Sequence, residues 1–287
     1  MPLSRPQVSI PPVLLCIVSV GLLTVMNGAI KGVVAHYDGV QVAFVRYAAG
    51  SVWIGLVVLW LRPGWPARDT ALINLARGVL GMISGTTFFM ALGLLNLADA
   101  FTVGFVAPLF VPLLALIVLK ERPRRVDLIA LALGFIGMLI IVRTGANGAG
   151  PRSLYGVGLV VISAATYAAT LIMLRFLAQK DPIVLLVIFQ HLVSAVILAP
   201  VMLFLWRPMA IGHVAVIAVA SLLGVAGHLM MAHAFSRAEA SRLVPIEYTA
   251  LLYAAIIDFV WFGHAVAPST LLGAAAIILG ALLASRR

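Results

Sequence analysis

Long apolar blocks dominate this chain, and short clusters of Gly, Pro and charge interrupt them at near-regular intervals. A helix that crosses a bilayer takes about 20 predominantly apolar residues. That length and that punctuation predict ten spans, at residues 12–34, 39–61, 70–94, 98–119, 126–143, 154–177, 182–206, 211–234, 241–262 and 267–285. The break between the third and fourth rests on Asn96 and Asp99. No loop is long enough to fold alone, so the expected fold class is an all-α integral membrane protein of ten transmembrane helices.

The blocks also repeat. Leu97–Val142 reads as two spans joined by the basic loop Lys120–Arg125, and a weaker echo lies at Ala238–Ser285. Asp38-Gly39-Val40 and Asp181-Pro182-Ile183 each open a span, 143 positions apart, while Arg62-Pro63 and Arg207-Pro208 close the same two spans, 145 apart. Ala98-Asp99-Ala100 matches Ala238-Glu239-Ala240 at 140, and Gly137 matches Gly280 at 143. The expected organisation is a five-helix repeat over 1–145 and a second over 146–287. Five is odd, so the halves insert with opposite orientation around a central cavity. Inverted repeats of this kind place substrate near the bilayer midplane, at the interface between halves.

Composition narrows the class. Hydrophobic residues make up 63% of the 287 and charged residues 10%, which excludes an ordinary soluble domain. Nineteen Lys and Arg against nine Asp and Glu would suit nucleic acid, but the basic residues sit mainly in the short loops. With ten spans, thirteen fall on the side of the termini (Arg5, Arg62, Arg68, Lys120, Arg122, Arg124, Arg125, Arg175, Lys180, Arg237, Arg242, Arg286 and Arg287). Four fall opposite, at Lys31, Arg143, Arg152 and Arg207. The positive-inside rule therefore predicts cytoplasmic termini and no nucleic-acid partner. Cys16 is the only cysteine, so no intrachain disulfide forms. The N-terminal apolar run is expected to be a retained first helix.

Ionisable groups within spans are costly, about 2.5–3.5 kcal/mol at the bilayer centre on insertion scales. Arg46 lies about 10 Å into its span at 1.5 Å per residue. It can bind a substrate carboxylate, hold a structural pair, or snorkel to the outer interface. Arg77, nearer the cytoplasmic end, is expected to snorkel toward headgroups, and Lys31 to act as an interfacial anchor. Glu247, beside Tyr248 and two residues after Pro245, is the best-placed proton-titrating group or ammonium acceptor; its alternative is a salt bridge with Arg77 or Arg242. Asp258 is expected to be solvated near the outer end. Pro108 and Pro112, one turn apart, remove backbone hydrogen bonds and mark a hinge or a static kink, with Pro245 the counterpart in the second half.

Asn27, Thr24, Ser84, Thr86, Thr87, Ser163, Thr166, Tyr167 and Tyr253 can line a mildly polar cavity or glue helices together. Gln190, His191 and His228 have no metal-ligand spacing and are expected to make helix–helix hydrogen bonds. No P-loop, H-E-x-x-H or G-x-S-x-G is present, so neither a nucleotide-driven pump nor a common hydrolase is expected, and no cofactor or metal.

The chain resembles the EamA-type branch of the drug/metabolite transporter superfamily. The resemblance is carried by Phe44-Val45-Arg46-Tyr47, Pro108, Leu119-Lys120-Glu121-Arg122-Pro123 and Gly134-Phe135-Ile136-Gly137 in the first half. In the second half it is carried by Pro245-Ile246-Glu247-Tyr248, Phe262-Gly263, Gly273 and Gly280. His264 departs from the Glu that usually follows Phe-Gly in such proteins, and Asp258 from a usual small residue. The resemblance implies a ten-helix secondary transporter of a bacterial-type inner membrane that exports small metabolites by alternating access, as a monomer or weak dimer. It looks most like the YddG-type exporters, implying neutral or aromatic amino acids, with or without protons. The expected substrate site is Arg46, Tyr47, Asn27, Thr87, Tyr167, Glu247 and Tyr248, with gating at Pro108, Pro112 and Pro245 and proton coupling at Glu247. A lipid-modifying enzyme is the alternative of another class, and a drug exporter the nearer one; a nucleotide-sugar or sugar-phosphate carrier would favour a denser basic cluster. An ion channel would need a ring or filter motif.

Overall fold

A computed structural model describes residues 11–66, 68–107, 110, 136, 151–238, 243, 246–247, 249–264, 268, 271–272, 275 and 279. Among them every regular element is helical: α1 (Pro12–Val34), α2 (Gly39–Leu61), α3 (Arg68–Leu92), α4 (Leu97–Gly104), α5 (Pro151–Leu177), α6 (Ile183–Leu205), α7 (Ile211–Arg237) and α8 (Thr249–Phe262). Six of these are long and apolar enough to cross a membrane, and the apolar α8 is shorter. The chain is a multi-pass membrane protein. The loop Lys120–Arg125, Pro108, Pro112, Pro245 and Tyr248 lie outside the described residues, as do the later part of the fourth span except Phe110, the fifth span except Ile136 and most of the tenth.

Local chemistry sets the boundaries. Pro11 and Pro12 start α1, where a missing N–H costs nothing. Asp38 caps α2 by accepting from the Val40 N–H at 2.8 Å. Arg62 closes that helix in the left-handed region at φ 46°, ahead of Pro63, which cannot continue it. Pro182 and Trp206 bracket α6. Within the expected ninth span, 241–262, Leu243 is helical, Ile246 and Glu247 lie in a 3₁₀ turn and α8 runs from Thr249.

Two side chains hold the α3–α4 turn from outside it. Lys31 donates to the carbonyls of Leu92 (3.4 Å) and Leu95 (2.6 Å), closing the end of α3, and lies over the Phe262 ring at 5.5 Å. Asp258, 2% exposed, accepts from the backbone N–H of Leu97 (3.3 Å) and Ala98 (2.6 Å), the open donors at the start of α4. Asp258 is thus buried rather than solvated, and Lys31 ties α1 to the end of α3.

The helices pair in a regular scheme, α1 most extensively on α7, α3 on α5 and α2 on α6. Polar contacts in the first two pairs recur at fixed offsets. The Ser19 hydroxyl donates to Gly227 O at 2.8 Å, and the Ser84 hydroxyl to Ser163 O at 3.1 Å. Ser163 follows Ser19 by 144 positions and Gly227 follows Ser84 by 143. In the same way Lys31 on Leu92 is matched by Arg175, whose guanidinium donates to Phe235 O, 144 and 143 positions later.

Candidate functional site

The central cavity encloses about 190 Å³ and is reached by all eight helices and by the 246–247 turn. Arg46, Tyr47, Asn27, Tyr167 and Glu247 line it; Thr87 does not. The Thr87 hydroxyl instead donates to Ile83 O at 2.8 Å and Ser84 O at 3.2 Å, bonds within its own helix.

Arg46 is the exceptional group. It sits mid-helix in α2, 2% exposed, so it does not snorkel. Its Nε lies 3.3 Å from the Met26 sulfur, and its guanidinium stands over the rings of Tyr47 (4.7 Å) and Phe89 (5.6 Å). Gly224 makes room for it: a Cβ there would lie 3.2 Å from Nη2. No described carboxylate pairs with it. A guanidinium has five N–H donors and accepts nothing, so a thioether and two ring faces leave it able to take an anion.

Tyr47 is 1% exposed, and its hydroxyl donates to Gly81 O at 3.0 Å. That hydroxyl occupies the space a Cβ on Gly85 would fill. The remaining wall is largely aromatic, with Phe88, Phe89, Phe101 and Phe105. Phe88 and Phe101 meet edge to face at 5.4 Å between centroids.

Glu247 is the carboxylate of the cavity. The Tyr167 hydroxyl donates to its Oε1 at 3.4 Å. The salt bridge expected with Arg77 does not form, because Arg77 engages Gln190, and the one with Arg242 lies outside the described residues. Asn27 also lines the cavity and has no hydrogen bond to a described residue.

Two histidines stand beside Arg46. His191, fully buried, bonds Val187 O through Nδ1 at 2.9 Å, and His228 bonds Gly224 O through Nδ1 at 2.6 Å. Both are bonds within one helix rather than the expected bonds between helices. Each carbonyl fixes a proton on Nδ1 and leaves Nε2 an acceptor in the neutral ring. On His191 that acceptor has no partner among the described residues, while the His228 ring lines the cavity. Arg77 is buried, 4% exposed, and donates to Gln190 Oε1 at 2.5 Å and Leu186 O at 3.2 Å. It too does not snorkel. Among the described residues no cluster of three or more His, Cys, Asp or Glu is placed to hold a metal.

Among the described residues the site's chemistry is therefore one cation without a carboxylate partner, one carboxylate and an aromatic wall within a bundle of membrane-length helices. The family model described as the EamA-like transporter family matches residues 10–143 and again 154–286. The chain belongs to the EamA-like transporter family. It is a membrane transporter, and the names of its relatives point to transport rather than catalysis. It is 24% identical over 265 residues to an S-adenosylmethionine uptake transporter of Rickettsia bellii (strain RML369-C), covering 90% of this chain and 89% of that one. It is 25% identical over 283 residues to the pseudopaline exporter CntI of Pseudomonas aeruginosa (strain PAO1), covering 96% and 95%. A solved crystal structure superposes with a TM-score of 0.64 at 19% identity, covering 95% and 96%, a likeness of fold alone.

Met26, Gln190, His228 and the four phenylalanines were not expected in the site. One signal marks two of their neighbours: Gln190 and His191 follow Arg46 and Tyr47 by 144 positions.

Proposed function

We propose that this EamA-like protein is a secondary transporter of a small zwitterionic metabolite, a neutral or aromatic amino acid, moved outward by alternating access. The observation that carries the proposal is the buried guanidinium of Arg46, set in the cavity wall with no described carboxylate beside it. A buried unpaired charge is costly, and a substrate carboxylate would repay that cost. Glu247 is the complementary acceptor for an ammonium group or a proton, and the phenylalanines suit an apolar side chain. The cavity's about 190 Å³ is below the roughly 300–1,000 Å³ of drug-sized sites, which favours a small solute.

In this reading two halves of opposite orientation rock about the cavity. The contacts that recur 143 and 144 positions apart support it. Both termini face the cytoplasm of a bacterial-type inner membrane, as the basic residues imply. The gating prolines Pro108, Pro112 and Pro245 and the coupling role of Glu247 belong to the same proposal.

A second reading follows from the rickettsial relatives: uptake of S-adenosylmethionine, itself an α-amino acid derivative that the same charge pair would hold. Proteoliposomes offered labelled L-phenylalanine, L-leucine, S-adenosylmethionine, a sugar phosphate and a lipophilic cation separate these readings. Saturable exchange of the two amino acids supports the first. Movement of S-adenosylmethionine alone replaces it with the second, and movement of only the sugar phosphate or the cation removes both.

A further inference from the structure

Arg77 and Gln190 form a pair that the carboxylate site does not yet use. A guanidinium only donates, so the bonds from Arg77 to Gln190 Oε1 and Leu186 O fix which end of the Gln190 amide is oxygen. The amide nitrogen is left facing away from Arg77. It lies against Gly81, where a Cβ would stand 2.9 Å from Nε2, and Gln190 lines the cavity. No described residue accepts from that nitrogen. The carbonyl of the same Gly81 accepts from the Tyr47 hydroxyl at 3.0 Å, so the amide meets the Arg46–Tyr47 face at one glycine.

The chain repeats this arrangement. Gln190 follows Arg46 by 144 positions and Gly224 follows Gly81 by 143. Arg46 lies against Gly224 as Gln190 lies against Gly81. The two helices thus offer one charged and one neutral donor to a single cavity from equivalent places.

We infer that Gln190 donates from Nε2 to the substrate carboxylate as a second arm beside Arg46, and that Arg77 is the positioning residue that holds the amide in that orientation. This rests on the carboxylate reading above. A free amide has two orientations that differ only in exchanging oxygen and nitrogen. With oxygen toward the cavity it would repel a carboxylate. Arg77 removes that orientation, and by donating to Oε1 it polarises the amide and strengthens the opposite N–H as a donor. A neutral second arm also avoids setting two buried guanidiniums around one carboxylate.

The test compares transport of L-phenylalanine with that of L-phenylalaninamide, which lacks the carboxylate. Gln190→Glu is nearly isosteric, pairs with Arg77 and puts acceptor oxygen toward the cavity. The acid-over-amide ratio of kcat/KM should fall at least about tenfold, mainly through KM. Arg77→Met should lower the ratio severalfold, and Arg77→Lys, which can still donate to Oε1, should restore much of it. The ratio is independent of how much protein folds, and Gln190→Met carries the same test if Gln190→Glu does not fold. Equal losses for both solutes, with the ratio unchanged, would mean a purely packing role and overturn the inference. If the wild type prefers the acid and Arg46→Met removes that preference while the Gln190 variants keep it, only this inference falls. A wild type indifferent to the carboxylate brings down the reading of the cavity itself.

Discussion

The rings of Tyr47 and His191 meet edge to face, 5.9 Å between centroids, and His191 follows Tyr47 by 144 positions. One ring comes from α2 and the other from the matching place on α6. Tyr47 lies against Gly85 as His191 lies against His228, which follows Gly85 by 143 positions. The centre of the bundle thus joins corresponding but unlike positions from the two segments that the family model matches. The first supplies a cation and a phenol, the second an amide and two imidazoles.

The tightness of that centre predicts the cost of filling it. A Cβ on Gly50 would collide with the His191 imidazole. The ring cannot withdraw, because its Nδ1 is bonded to Val187 O and its faces meet Tyr47 and His228. Gly50→Ala should destabilise the protein by about 1–3 kcal/mol, read as a lower unfolding temperature in detergent. Adding His191→Ala should recover part of the loss, since the two changes share one space. Independent losses from the two substitutions would sink this account.

Arg46→Met separates the stability of this site from its function. Methionine keeps much of the volume and removes a buried charge that no described carboxylate compensates. Unfolding temperature should hold or rise, while uptake of the transported amino acid falls at least about tenfold. Loss of folding together with transport would make Arg46 a structural residue.

Glu247→Gln keeps shape and the hydrogen bond from Tyr167 while removing the negative charge. Affinity should fall for L-phenylalanine but not for 3-phenylpropionate, which has no ammonium group. Transport should also stop responding to an imposed pH gradient. A response equal to that of the wild type would remove Glu247 as the coupling residue.

Much of this was legible in the sequence and some was not, for physical reasons. Span ends were readable because Asp38, Pro63 and Pro182 act locally: a cap, a helix stop and a helix start need no tertiary partner. Arg46, Tyr47, Tyr167 and Glu247 stood out because polar groups are costly in apolar runs, and all four reached the cavity. The errors concern partners. Asp258 lies near the end of α8 and Arg77 in the first half of α3, positions from which a chain read without its fold reaches water or headgroups. Only the fold reveals that Gln190 and the start of α4 reach them first. That Thr87 does not line the cavity is not legible either, because apolar helices this uniform give hydropathy no means of fixing rotation about their axes. The correspondence of Gln190 with Arg46 is readable from the sequence once the offset of 143 to 145 positions is in hand.

Asp258 should matter as a cap rather than as a charge. Asp258→Ala leaves the Leu97 and Ala98 N–H groups without their acceptor and should cost about 1–2 kcal/mol. Asp258→Asn keeps one acceptor oxygen and should cost less. The comparison is made by thermal unfolding. Equal losses from both would show that charge, not capping, is what Asp258 supplies.

Opposite ends of α6 carry two polar clasps, which the proposed alternating access would open in turn. At one end, expected to face outward, the Gln41 amide donates to Arg207 O at 2.6 Å and accepts from Arg207 N–H at 3.2 Å. There Tyr37 Oη also accepts from Ala210 N–H at 3.0 Å and lies 3.1 Å from His213 Nδ1. At the other end Asp181 accepts from the Thr70 hydroxyl at 2.9 Å and the Asn74 amide at 2.7 Å. Weakening one clasp should bias the protein toward opening there, since each lost hydrogen bond of about 1 kcal/mol shifts a two-state population about fivefold. A cysteine placed in the cavity by Asn27→Cys, in a Cys16→Ala background, reports the bias through an impermeant thiol reagent. Gln41→Leu with Tyr37→Phe should speed labelling from outside and slow it from inside, and Asp181→Ala should do the reverse. Parallel changes on both faces would mean that the clasps only hold the bundle together.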